Sequence, residues 1–372
     1  MSTPVPVSAI LERIAIAGRN FGDSEIGSRE TLIELGRDLV AALEIPSEFL
    51  QRTFWAEPAL SAHCKFAVQV KLFQNLGDGS KAGLSPTDLA DRTGVDVILL
   101  QRIMRHLISM KIVTFSEGKF FGTTLSHSLA ADNYQKSIDF CYDVARPSFN
   151  GFPEFSRRPV TSSQPTPPHL DEFDKFMSAY RAGKANWYDQ GFYPVSERLI
   201  KGFDASIGEV LLVDVGGGRG HDAGLFATQY STRPGKLILQ DPAFHSQAHD
   251  FFTPQPIQGA RAYSLHSILH DWDDEEGIKI LENLVPALKP GYSRVLLNEI
   301  VLSEQHPTIA ATSMDMMMLA HFAVRERTEA DWKAMLEKAG LMLVKTYSYP
   351  RVAESVIEAE LSTAQTRKGI AQ

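Results

Sequence analysis

The sequence predicts an α/β protein, with a sheet covered by helices on both faces in its C-terminal half and a mainly helical N-terminal half. Three observations predict it. From about Val210, short apolar strands alternate with helical stretches. A glycine cluster follows the first strand directly, in "LLVDVGGGRGHDAGLF". Upstream, apolar residues recur at three- and four-residue intervals instead of alternating.

The N-terminal elements come first. "RETLIELGRDLVAALE" sets Leu32, Leu35, Leu39 and Leu43 along one helical stripe. "PALSAHCKFAVQVKLFQNL" is apolar around most of its circumference, which suits a helix buried on several sides or placed in a subunit interface. In "LSPTDLADRTGVDVILLQRIMRHLISMKIVTFSEGKFFGTT", Ser85 is a helix cap with Pro86 at the first helical position. Gly94 permits a tight turn, and a second helix is expected from about Asp96 to Met110. "IVTF" and "KFFGTT", joined at Glu117-Gly118, read as a β-hairpin. Helix, turn, helix and hairpin make a winged helix. Its second helix carries only Arg102 and Arg105 as cations, with Lys111 beyond, so scaffolding is favoured over DNA binding.

A loop rich in proline and serine, "SRRPVTSSQPTPPH", separates the halves, and "LDEFDKFMSAYRAGKANWY" after it reads as a helix. The strands then follow as "VLLVDV", "KLILQD", "ARAYSL", "RVLLNEI", "LMLVKTYSY" and "SVIEAEL". The alternation predicts a parallel, Rossmann-like sheet. The expected division is 1–190 for the helical, winged-helix domain and 191–372 for the α/β domain.

The glycine turn reads Gly216-x-Gly218-x-Gly220, one residue shorter than a dinucleotide fingerprint. Asp214 directs a carboxylate toward the crevice, which repels a pyrophosphate and attracts a cation. Asp241 ends the next strand, where ribose hydroxyls are bound in such folds. The turn, with Gly217 at its centre, therefore favours a nucleoside that carries a positive charge and no phosphate. S-adenosylmethionine is such a molecule.

A second constellation lies in "LHSILHDWDDEEGIKILENLVPALKPG". His270 falls just beyond a strand end, on the rim that lines the ligand crevice. Glu299 ends the following strand, and Glu326 precedes a helix capped by Thr328. One imidazole and two carboxylates converge there. Asp273, Asp274, Glu275 and Glu276 are expected to serve the helix dipole.

These phrases, with "HDFFTPQPIQGARAY", "NEIVL" and "RERTEADW", resemble the S-adenosylmethionine-dependent O-methyltransferases of the caffeate and fungal polyketide type. The resemblance covers nearly the whole chain, and the winged-helix half is similar to that family's dimerisation domain. It implies a class I methyltransferase domain, a homodimer, S-adenosyl-L-methionine as cofactor and an aromatic small molecule as acceptor. It implies Gly216, Gly217, Gly218, Asp214 and Asp241 at the cofactor, with Asp250 and Phe251 beside its adenine. His270 matches the family's general base, and Glu299 and Glu326 match the acids that orient it. Met317, Met318 and Phe322 in "DMMMLAHFAVRE", with Asp271, Phe173, Phe176 and Met177, are the expected acceptor walls. His266 stands where the plant enzymes have a lysine, and it is given no contact.

Two other readings stand beside this one. The same scaffold could run a pericyclic reaction without methyl transfer, or serve as a DNA-binding regulator with a vestigial pocket. The formal charge of -8 argues against a nucleic-acid partner. With no long apolar run, no secretory start and only Cys64 and Cys141, the expected setting is a reducing cytoplasm, away from membranes.

Overall fold

In the computed structural model of the 372-residue chain, the residues described are 5–23, 25–77, 82–155, 184–241, 247–303, 305, 307–349 and 352–362. The chain divides into two compact units, Leu43–Lys184 and a second that joins Met1–Ala42 to Ala185–Gln372. That grouping is one of compactness.

Helices α1 (Val7–Gly22) and α2 (Ser28–Leu43) open the chain, and α3 (Glu57–Gln69) follows. The winged helix then forms as its sequence dictates. Ser85 Oγ accepts from the Asp88 N–H and starts α4 (Pro86–Thr93). Gly94 ends it in the left-handed region at φ 70°. Asp96 caps α5 (Val97–Ser109) by accepting from the Ile98 and Leu99 N–H groups. Strands β1 (Val113–Ser116) and β2 (Lys119–Gly122) pair antiparallel across Glu117-Gly118, both at positive φ as a two-residue type I′ turn requires. Leu89, Leu100, Met104, Leu107, Val113 and Phe120 form the core of this unit.

The second unit holds a six-stranded sheet of β3 (Val210–Val215), β4 (Lys236–Gln240), β5 (Ala262–His266), β6 (Arg294–Ile300), β7 (Leu341–Tyr347) and β8 (Glu354–Leu361). Their spatial order is β4-β3-β5-β6-β8-β7. The first four are parallel, but β8 runs antiparallel to both β6 and β7. This corrects the expected all-parallel sheet. The connection from β7 to β8 spans only residues 348–353, too few for a crossover helix. Adjacent residues serve opposite faces: Val213, Tyr263, Leu297 and Ile357 fill one core, and Leu212, Ala262, Leu296 and Val356 the other.

Helix α6 (His221–Gln229) links β3 to β4, and α7 (Asp274–Leu284) links β5 to β6. Helices α8 (Ile309–Phe322) and α9 (Glu329–Lys338) link β6 to β7. The chain steps from β3 to β4 on one side and returns to β5 on the other. The order therefore reverses between β3 and β5, and ligands of such sheets bind in the crevice at that switch point. No helix among the described residues is long and apolar enough to cross a membrane.

Candidate active site

The glycine turn sits at the switch point because β3 ends at Val215 and α6 starts at His221. Gly216, Gly218 and Gly220 take φ values of 72°, 53° and 76°, a region L side chains rarely occupy. A Cβ at Gly216 would stand 2.7 Å from Ile268 Cδ1, and one at Gly217 would stand 2.3 Å from Asp214 Oδ2. At Gly218 the space is open.

The amides of this turn already have acceptors. Gly216 and Gly217 donate to the Gln240 carbonyl at 2.8 and 3.2 Å, and Gly218 donates to Asp241 Oδ2 at 3.0 Å. A pyrophosphate would need those N–H groups. Asp214 is buried at the end of β3, and Asp241 is half-buried beyond β4. The Phe251 ring lies 3.7 Å from the Gly216 Cβ position and meets Trp272 edge-on at 6.0 Å. Asp250 is exposed, its carboxylate accepting from the Phe252 N–H at 3.0 Å. Open room over Gly218, two carboxylates, an aromatic wall and amides that are already bonded fit a cationic nucleoside.

Across the same crevice β5 runs into the turn that carries His270. Ser267 turns the backbone at φ 52°, and a single 3₁₀ turn, Leu269–Asp271, follows. His270 is buried, with Nδ1 2.9 Å from Glu326 Oε1. Nε2 faces Asp271 Oδ1 at 3.5 Å, an ionic contact longer than a hydrogen bond. Glu299 sits differently. Its Oε1 accepts from the Ile268 and Leu269 N–H groups at 3.0 and 2.9 Å, so it braces the turn and not the ring. Burial opposes a charge on His270. The Glu326 hydrogen bond and the charges of Glu299, Asp271 and Glu326 outweigh it and push the imidazole up to about 10. Burial pushes Glu299 up to about 7, against the pull of the His270 charge. Burial likewise raises Asp271, which remains partly open to solvent.

Helix α8 packs against the 3₁₀ turn. Met318 is buried in it, and Met317 and Phe322 are half-buried. Asp315 of α8 accepts the Glu326 N–H at 2.8 Å and so places that carboxylate. Phe173, Phe176 and Met177 lie outside the described residues. The structure thus brings together His270, Glu299, Glu326 and Asp271, and it sets Gly216–Gly218, Asp214, Asp241 and Phe251 around the neighbouring turn.

Sequence reasoning missed Arg327. Its guanidinium is buried and donates to the Leu269 carbonyl at 2.8 Å, the Trp272 carbonyl at 2.7 Å and Asp274 Oδ1 at 2.9 Å. It also lies 5.1 Å from the centre of the Trp332 ring. The two carbonyls flank His270, so Arg327 fixes the backbone on both sides of the ring. The signal was an arginine between Glu326 and the Thr328 cap, a position that usually reads as solvated surface.

A family model for the O-methyltransferase domain matches residues 238–342. An "O-methyltransferase mpaG" from Penicillium roqueforti (strain FM164) is 53% identical, over 96% of this chain and 99% of that protein. The chain belongs to the O-methyltransferase family. Its enzyme class is S-adenosylmethionine-dependent methyl transfer, and S-adenosylmethionine is its cofactor. Two solved structures share the fold of this methyltransferase. One, described as "A Pericyclic Reaction enzyme", has a TM-score of 0.83 at 23% identity, over 96% of this chain and all 100% of that one. The other, OxaC in complex with sinefungin and meleagrin, has a TM-score of 0.74 at 22% identity, over 96% and 99%. At those identities the likeness speaks for the methyltransferase fold alone.

Proposed function

We propose that this methyltransferase methylates a hydroxyl of an aromatic, polyketide-like secondary metabolite, with His270 as the general base. The observation that carries the reading is the buried His270–Glu326 pair, 2.9 Å apart, on the sheet edge that also bears the glycine turn. The resemblance to fungal secondary-metabolite enzymes supports the acceptor class. Met317, Met318 and Phe322 of α8, with Asp271, are the described part of its pocket. Phe173, Phe176 and Met177 are proposed for the remainder.

When bound, S-adenosylmethionine supplies an electrophilic methyl group on a positively charged sulfur. Asp241 would hold its ribose, Phe251 and Asp250 its adenine end, and Gly216, Gly217 and Gly218 with Asp214 the remaining rim. Glu326 accepts the His270 Nδ1–H, which leaves Nε2 as the proton acceptor. A phenol ionises near 10, as tyrosine does, while a free imidazole titrates near 6.5. With His270 pushed up to about 10, the proton transfer becomes close to level. A positive charge in the crevice favours the neutral ring and so readies it as a base. Glu299 and Arg327 hold the backbone of its turn while the proton moves.

The division at 190 belongs to the same reading, with 1–190 for pairing and 191–372 for cofactor and chemistry. A homodimer is proposed, because Leu43, Ile45, Phe54 and Trp55 are exposed apolar residues of the N-terminal half. A cytoplasmic setting is proposed from its two free cysteines. The test incubates purified enzyme with S-adenosylmethionine and a panel of phenolic polyketides. S-adenosylhomocysteine released in step with a methyl ether supports the reading. Conversion of an acceptor with no release of S-adenosylhomocysteine would contradict it.

A further inference from the structure

A second histidine, with its side chain largely buried, lies outside the chemistry described above. His266 ends β5, and among the described residues its ring faces groups on α6, β6 and β8. Nδ1 lies 2.6 Å from Asp222 Oδ2, in the first turn of α6. Nε2 lies 3.2 Å from Glu354 Oε2, at the start of β8, and 2.8 Å from the side-chain amide of Asn298 on β6. All three ionisable groups are largely buried, with side-chain exposures of 7% for His266 and 13% for each carboxylate.

A neutral imidazole has one N–H and could serve only one of the two carboxylates, leaving a lone pair against the other. An imidazolium donates to both. The Asn298 side-chain oxygen is buried and has no hydrogen-bond partner among the described residues. With that amide turned over, its oxygen accepts from Nε2–H, which again suits the charged ring.

The placement gives the cluster its consequence. Ser267, the next residue, is held at φ 52°, and Ile268 after it packs against the place a Gly216 Cβ would occupy. One short segment therefore touches α6 by charge and the glycine turn by packing, and it leads directly into His270. We propose that His266 is a positioning residue for the cofactor: an imidazolium tie between Asp222 and Glu354 that fixes the start of α6, and with it the glycine turn, against the sheet edge. The proposal rests on the glycine turn as the S-adenosylmethionine site and is independent of the role given to His270.

Calorimetric titration with S-adenosylhomocysteine tests it without an acceptor. His266→Ala and Asp222→Ala are each expected to weaken binding on the order of tenfold, as loss of a charge-assisted hydrogen bond does. The double variant should bind no more weakly than the weaker single, because both remove the same tie. Nitrogen NMR of the ring, assigned by its loss in His266→Gln, should show both nitrogens protonated at neutral pH. If His266→Ala does not fold, Asp222→Asn carries the same expected weakening. Unchanged affinity in the single variants, multiplicative losses in the double, or a single protonated nitrogen would overturn the proposal. Failure of the unaltered protein to bind S-adenosylhomocysteine would instead strike the cofactor site itself.

Discussion

His270 Nδ1 and Glu326 Oε1 stand 2.9 Å apart, and both side chains are shut away from solvent. A buried hydrogen bond to a carboxylate fixes the ring's tautomer and favours its charged form. The pair therefore sets both the direction in which Nε2 points and the pH range over which it can take a proton.

Glu326→Gln keeps an acceptor for Nδ1–H but removes the charge. Turnover is expected to fall about 100-fold, at the low end of general-base effects. Because the Glu326 hydrogen bond does most to raise His270, the acidic limb of the kcat/KM profile should move to lower pH. Initial rates between pH 6 and 10, roughly spanning free imidazole and phenol, measure both effects.

Folding stability should carry the same signature. His270 rises from 6.5 to about 10 on folding, so the folded state holds more protons than the unfolded chain across that window. Its contribution is fully present below 6.5 and is lost as pH climbs through 10. The local slope is at most about 1.4 kcal/mol per pH unit. Glu299, raised from 4.5 to about 7, adds a loss in the same direction at lower pH. Urea unfolding from pH 7 to 10 should show a decline that His270→Ala flattens.

Arg327→Lys cannot reproduce a fork that reaches two carbonyls and Asp274. The melting temperature should fall by several degrees, the effect of about 1 to 2 kcal/mol in a chain of this size. Turnover should fall about tenfold or more through the displaced His270 turn. S-adenosylhomocysteine affinity should stay within about threefold, since the glycine turn has separate supports; scanning calorimetry and titration read the two effects.

Gly217→Ala drives a Cβ into the Asp214 carboxylate and the Leu239 side chain, at 2.3 and 2.6 Å. Asp214 must give way at the end of β3. The expected result is S-adenosylhomocysteine binding weakened on the order of tenfold, with loss of no more than about 1 to 3 kcal/mol of stability, as overpacking gives. Titration calorimetry and urea unfolding of the same variant measure the two.

Much of this was legible before any coordinates. The Ser85 cap, Gly94 and the Glu117-Gly118 turn declare the winged helix, because each solves a local backbone problem that few residues solve. The six strands are visible for a similar reason: short β-branched runs have few other uses. The direction of β8 follows from the brevity of the 348–353 connection, a signal that lies in the spacing between strands rather than in the strand's own residues. The distinction between Glu326, which holds the ring, and Glu299, which holds the backbone, was not legible. That distinction follows from the register pairing His266 with Asn298, which sets Glu299 under the Ile268 and Leu269 amides. Arg327 and Asp315 act on residues far from them in sequence, and neither pattern nor spacing announces such contacts.

The most direct measurement compares His270→Ala with the unaltered enzyme in two assays, S-adenosylhomocysteine titration and methyl transfer to a phenolic acceptor. The account predicts affinity within about threefold and turnover reduced about 100- to 10,000-fold, the range a general base supplies. A His270→Ala enzyme that binds the cofactor product and still methylates at an undiminished rate would contradict it.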